Sequence, residues 1–146
     1  MRSGYKMTEL GEIPETWEIK KMDDIFNFFG GLSIPRDKLS DSGVLYLHYG
    51  DIHKRQASYI DINKDRDWIP RLNDTDLNLK DNCTLSTGDI VFADASEDYE
   101  GIGKHVVIFN ENNEMFISGL HTIIAKDKTK VINNHFKRYC FLSNKI

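Results

Sequence analysis

The 146-residue chain is 40% hydrophobic, 29% charged and 11% aromatic, which fits one folded domain of the common ~100–150-residue size and excludes a disordered or collagen-like chain. No apolar run approaches the ~20 residues of a membrane helix, and the opening MRSGYKMTELGEIP lacks the apolar stretch of a secretory signal, so a cytoplasmic protein with no membrane partner is expected. The net charge of −4 weighs only weakly against a nucleic-acid partner.

Along the chain, an N-terminal arm comes first. Residues 8–18, TELGEIPETWE, carry a Gly-x-Ile-Pro turn signal, and Trp17 is expected to anchor the arm to the body. From Glu18 to Phe29 the apolar residues Ile19, Met22, Ile25, Phe26 and Phe29 fall at helical spacing. WEIKKM also reads as a strand, with Asp23 capping a short helix over 24–29, and Gly30-Gly31 ends either version. VLYLHY over 44–49 and SYIDI over 58–62 predict strands, whereas 63–81 is polar and predicts a loop or short turns around Trp68, Ile69 and Pro70. Ile90–Ala93 predicts a short buried strand after Gly88-Asp89. HVVIFN over 105–110 and Glu114–Ile117 flank Glu111-Asn112-Asn113, which predicts a β-hairpin. LHTIIA over 120–125 is another strand. The Asn133-Asn134 pair then caps a helix over 135–144, with Phe136, Tyr139, Cys140 and Leu142 in helical order.

Charge is unevenly distributed. Residues 74–100 carry −7, residues 101–146 carry +4 and residues 1–73 carry −1, so a basic face can coexist with an acidic average. Cys83 and Cys140 are too few and too far apart for a disulfide framework or a zinc site; both are expected reduced, with Cys140 a packing residue. Asp94, Glu97, Asp98 and Glu100 raise the alternative of a metal-dependent hydrolase, with His121 as a further group. The run fails the calcium-loop pattern, because its sixth position is Tyr99 and its twelfth His105. The five histidines are dispersed; His48 and His121 fall in strand-like segments, where a hydrogen-bonded edge histidine is the plainer reading. Gly101-Ile102-Gly103-Lys104 lacks the spacer and the Ser/Thr of a phosphate loop and reads as a tight turn entering the strand at His105. No Gly-x-Ser-x-Gly elbow is present. Loops suited to DNA stand out more. Ser33, Arg36 and Lys38 follow the Gly-Gly turn, and His53, Lys54, Arg55, Gln56, Ser58 and Tyr59 follow the 44–49 strand. Cations in such loops position on phosphates, while Arg and Gln reach base edges.

Seven short motifs occur in order. They are Gly11-Glu12-Ile13-Pro14-x-x-Trp17-Glu18, Gly30-Gly31, Tyr46-Leu47 leading to Gly50-Asp51-Ile52, Leu85-x-x-Gly88-Asp89-Ile90-Val91, Asp94–Tyr99 with Gly101–Lys104, Ile117–Thr122, and Phe136 to Ser143. In this order, across residues 11–143, they resemble a target-recognition domain from the specificity subunit of type I restriction-modification systems.

The resemblance implies a sequence-reading module without catalysis of its own. A full subunit of that family carries two such domains separated by long helices, each domain reading half of a split site in double-stranded DNA. S-adenosylmethionine, ATP and magnesium then belong to the methyltransferase and restriction subunits, and no cofactor to this chain. Residues 1–146 are expected to form a single α+β domain: a twisted, mainly antiparallel sheet, a few short helices, and a C-terminal helix from about 134 leading toward a spacer absent from this sequence. It is expected to be the first of two recognition domains, as a truncated gene product or a piece of a longer chain. The DNA-contacting candidates are Ser33, Arg36, Lys38, Lys54, Arg55, Gln56, Ser58, Tyr59, Ser96, Tyr99 and Lys104. Ser96 and Tyr99 are expected to order the acidic loop and Lys104 to face phosphate. His121 is placed near the same face, with a role in the sheet left equally open. A protein-interaction domain is the remaining alternative.

Overall fold

The computed structural model describes residues 2–73 and 81–142. A five-stranded sheet runs in the order β3 (Phe26–Gly30), β11 (Thr122–Asp127), β8 (Ile90–Ala93), β9 (His105–Phe109), β6 (Tyr59–Asp61). A four-stranded sheet runs β10 (Phe116–Ser118), β5 (Val44–Leu47), β7 (Arg71–Leu72), β4 (Leu39–Ser40). Pairing is antiparallel except for β6 with β9 and β10 with β5, so the chain is α+β with mainly antiparallel sheets. The helices are short: α1 (Met22–Ile25), α2 (Tyr49–Lys54), α3 (Ile62–Asp65) and α4 (Asn134–Cys140).

Strands β8 and β9 are apolar apart from His105 because residues on both of their faces are packed into clusters. Val91, Ala93, Val106 and Ile108 point into a cluster shared with Leu45, Leu47 and Phe116 of the second sheet and Ile52 of α2. The alternate residues Ile90 and Val107 join Phe26 and Ala125 in a second cluster, against which Met22, Ile25 and Phe141 pack. α1 and α4 thereby cover the outer face.

Several expectations need correction. Helical spacing over 18–29 yields only the single turn α1, and Phe26–Gly30 is instead a strand paired with β11. Asp23 does not cap that turn; Asp24 Oδ2 accepts from the Lys21 N–H at 3.0 Å. The arm is a hairpin of β1 (Tyr5–Thr8) and β2 (Gly11–Pro14), turned at Gly11 with φ 101°. Trp17 does not anchor it: its N–H bonds Pro14 O, but its side chain is 62% exposed.

The strand over 44–49 stops at Leu47, because His48 caps α2. Its Nδ1 accepts from the Gly50 N–H at 3.1 Å, and its own N–H donates to Asp51 Oδ2 at 3.2 Å. Within 63–73, the expected loop or short turns hold the single turn α3 and the two-residue strand β7, while 74–80 lie outside the described residues.

The hairpin over 105–117 does not form. β9 already pairs with β8 on one side and β6 on the other, so β10 joins the edge of β5 in the second sheet. Buried Asn110 makes that turn: its Nδ2 donates to Leu85 O and Glu114 O, and its Oδ1 accepts from the Glu114 N–H. Asn133 caps α4 through its Oδ1, as its sequence position predicts, and the helix is assigned through Cys140. Both cysteines are free thiols, Cys83 buried and Cys140 half-buried.

Candidate nucleic-acid interface

Three segments, the third far from the first two in sequence, meet at one cleft of about 700 Å³. The turn at Arg36–Lys38 contributes Arg36, α2 contributes Tyr49, His53 and Lys54, and the loop 94–104 contributes Ser96, its acidic residues and Lys104. Arg36 and Lys54 are exposed on its rim. The acidic loop is ordered locally. Ser96 Oγ donates to Asp98 Oδ1 and accepts from the Asp98 N–H, and Asp98 Oδ1 accepts from the Gly101 N–H at 2.7 Å. Gly101–Lys104 is the tight turn that its glycines predict, with Gly103 at φ 82° and the Lys104 N–H bonded to Gly101 O.

The predicted residues separate into groups. Arg36, Lys54, Ser96 and Lys104 line the main cleft. Gln56 and Ser58 line a neighbouring one of about 330 Å³, which Lys104 also borders. Ser33 and Lys38 are exposed near the first turn. Tyr99 stands 94% exposed, so the ordering of the loop falls to Ser96 and Asp98 instead.

Arg55 and Tyr59 face inward. The Arg55 guanidinium donates to Asp65 Oδ2 at 2.8 Å and to Tyr59 O at 2.7 Å, and lies 5.1 Å from the Trp68 ring centre. Tyr59 packs edge-on to Phe109 and beneath the Arg138 guanidinium at 3.9 Å. The Lys104 ammonium donates to the carbonyls of His53 and Arg55.

An aromatic cluster completes the face, and as a cluster it was not legible in the sequence. The Tyr49 ring lies 4.6 Å from that of His48, 6.0 Å from His53 and 5.3 Å from His121. Neither His48 nor His121 sits within a strand. His121 occupies a turn at φ 57° just before β11, with Nδ1 3.3 Å from Asp94 Oδ1. Burial lowers the His48 pKa, opposed by Asp51 and reinforced by Arg36, Lys54 and His121, which favours the neutral imidazole. Among the described residues no three His, Cys, Asp or Glu side chains come together as metal ligands, and no helix is long and apolar enough to cross a membrane.

Residues 14–146 match the type I restriction modification DNA specificity domain. The chain belongs to that family. A relative from Methanocaldococcus jannaschii, named as the MjaX specificity subunit of a type I restriction enzyme, is 27% identical over 136 residues. The match covers 92% of this chain and 30% of that relative, so the specificity domain spans less than a third of the relative's length. Within the family domain, four of the short sequence motifs converge in space: Gly31, Tyr46 and Ser118–Thr122 meet at one sheet junction, and the loop 94–104 adjoins it through the Asp94–His121 contact.

Proposed function

We propose that this specificity domain reads one half of a bipartite double-stranded DNA site for a type I restriction-modification complex and performs no catalytic step itself. The observation that carries the reading is the convergence of the segments at 36–38, 49–54 and 94–104 on one cleft with Arg36 and Lys54 at its rim. Exposed Arg and Lys are the groups that neutralise phosphates, and an Arg can take guanine O6 and N7 as a bidentate pair. Tyr49 and the surrounding imidazoles offer flat, amphipathic contact area beside them.

In this reading the methyltransferase and restriction subunits are the protein partners, and S-adenosylmethionine, ATP and magnesium are bound by them. The relative's greater length supports a second recognition domain elsewhere in a full subunit, and the proposed DNA target supports a cytoplasmic setting. A single half-site reader binds weakly. The test is a mobility shift of the chain on random-sequence duplexes from low to moderate salt. Binding is expected to weaken steeply as salt rises; flat affinity without salt dependence would overturn the proposal.

A further inference from the structure

Lys104 is the conspicuous cation of the loop 94–104, yet its chemistry is turned toward the protein. Of the three donors an ammonium carries, one meets His53 O at 2.9 Å and another Arg55 O at 2.5 Å. His53 lies in the last turn of α2 and Arg55 is the residue after it, so these are carbonyls that the helix itself leaves unpaired. The other end of the loop is tied to the same helix. His53 Nε2 lies 2.7 Å from Ala95 O, the separation of a ring N–H donating to a carbonyl. Between these ties the loop lies close against α2: a Cβ added at Gly101 would stand 2.1 Å from Ser96 Oγ and 3.0 Å from His53 Cε1.

We propose that Lys104 is a positioning residue that locks the loop 94–104 onto α2, so that loop and helix present one rigid surface to DNA, and that it does not neutralise a phosphate. The inference rests on the DNA-reading function proposed above and assigns one residue of that face. A phosphate ligand lost from the interface lowers the slope of log affinity against log salt by about one and weakens all sequences alike. A lost positioning residue leaves the slope intact and removes discrimination, because the base-contacting atoms are no longer held in register.

The experiment uses the whole chain and a duplex selected by it from a random pool, with a single-base variant of that duplex for comparison. Lys104→Met is expected to keep the salt slope, lower the preference for the selected duplex by about tenfold, and speed amide hydrogen exchange over 94–103, while the melting temperature stays within a few degrees of wild type. Lys104→Arg restores the preference. His53→Leu, which frees the other end of the loop, gives the same signature and replaces Lys104→Met if that variant does not fold. A slope lowered by about one with discrimination kept makes Lys104 a phosphate ligand and overturns the inference alone; so does a variant that changes neither slope nor discrimination. A wild-type chain that binds no duplex in a salt-dependent way overturns the DNA reading itself.

Discussion

Lys137 shows how much a single charge can organise in this fold. Its side chain is fully buried, and its ammonium uses all three donors, on Gly88 O at 2.8 Å, Asp127 Oδ2 at 2.6 Å and Asn134 Oδ1 at 2.9 Å. It thus fastens α4 to the turn before β8 and to the end of β11. Asp127 depends on it, because its Oδ1 is buried without a partner. Lys137→Met is therefore expected to cost about 3–5 kcal/mol in urea unfolding, the scale for stranding one member of a buried pair. Lys137→Met with Asp127→Leu should recover much of that loss. A single-variant cost under about 1 kcal/mol would contradict this account. His105 has the opposite character. It is buried between Phe92 and Phe141, its Nε2 has no partner, and burial holds its pKa below the usual value. The unfolded chain then binds the proton more readily, so this group's contribution is intact above about pH 6.5 and declines as pH falls through the window down to the folded pKa. His48 acts in the same sense, whereas the raised carboxyls of Asp51 and Asp89 act in the other, so a difference measurement is needed. Between pH 7.5 and 5.5, the melting temperature of His105→Phe should fall less than that of wild type; parallel curves would remove His105 from the explanation.

At the scale of elements, the fold turns on the junction where the two sheets meet. Tyr46 on β5 donates its hydroxyl to Leu32 O at 2.8 Å and accepts from the Leu120 N–H at 3.2 Å. Gly119 lies under that ring, and an added Cβ would stand 2.5 Å from Tyr46 Cζ and 2.7 Å from Leu47 O. Tyr46→Phe leaves a carbonyl and an amide without their partner and is expected to cost about 1–3 kcal/mol. Gly119→Ala should cost at least as much, since rigid groups on both sides must move; thermal melts of the two variants check both, and a neutral Gly119→Ala would disprove the close packing. The motifs Gly30-Gly31, Tyr46-Leu47 and Ser118-Gly119 were visible in the sequence as isolated pairs, but nothing local says that they touch. What was legible follows the same logic. The strands at 90–93 and 105–109 announce themselves because both their faces are buried, and α4 because Asn133 is a strong cap. α2 was missed because His48 is an unusual cap residue, and the hairpin at 105–117 was wrongly expected because loop composition carries no information about whether β9 still has an open edge. Around the cleft, residue type picked out Arg36, Lys54, Ser96 and Lys104, which line it, but not Tyr49. It did not separate Arg36 from Arg55, because the partner that turns Arg55 inward is Asp65, on another helix.

Over the whole molecule the informative quantity is the arrangement of charge rather than its sum of −4. The cleft brings Arg36 and Lys54 together with the loop bearing Glu97, Asp98 and Glu100, so cations and carboxylates share one surface. A DNA backbone approaching this face meets attraction on one side and repulsion on the other. The repulsion penalises any placement in which phosphates fall against the loop, which is how an interface selects among registers rather than merely holding a polyanion. Glu97 and Glu100 are exposed, so replacing both with Gln should leave the fold unchanged while altering that balance. The expected result at low salt is a severalfold gain in affinity for random duplex, roughly 3–10-fold, with a smaller gain for a selected duplex and hence poorer discrimination. Because exposed charges are screened beyond about 8–10 Å at physiological ionic strength, the gain should shrink as salt is raised. Arg36→Ala acts in the other direction, weakening binding and flattening its salt dependence by about one unit of slope if that guanidinium meets a phosphate. Binding curves for the three proteins across a salt series separate these effects. Unchanged random-duplex affinity in the double Gln variant at the lowest salt would mean that the acidic loop lies away from the backbone, and the orientation of DNA on this cleft would have to be reversed.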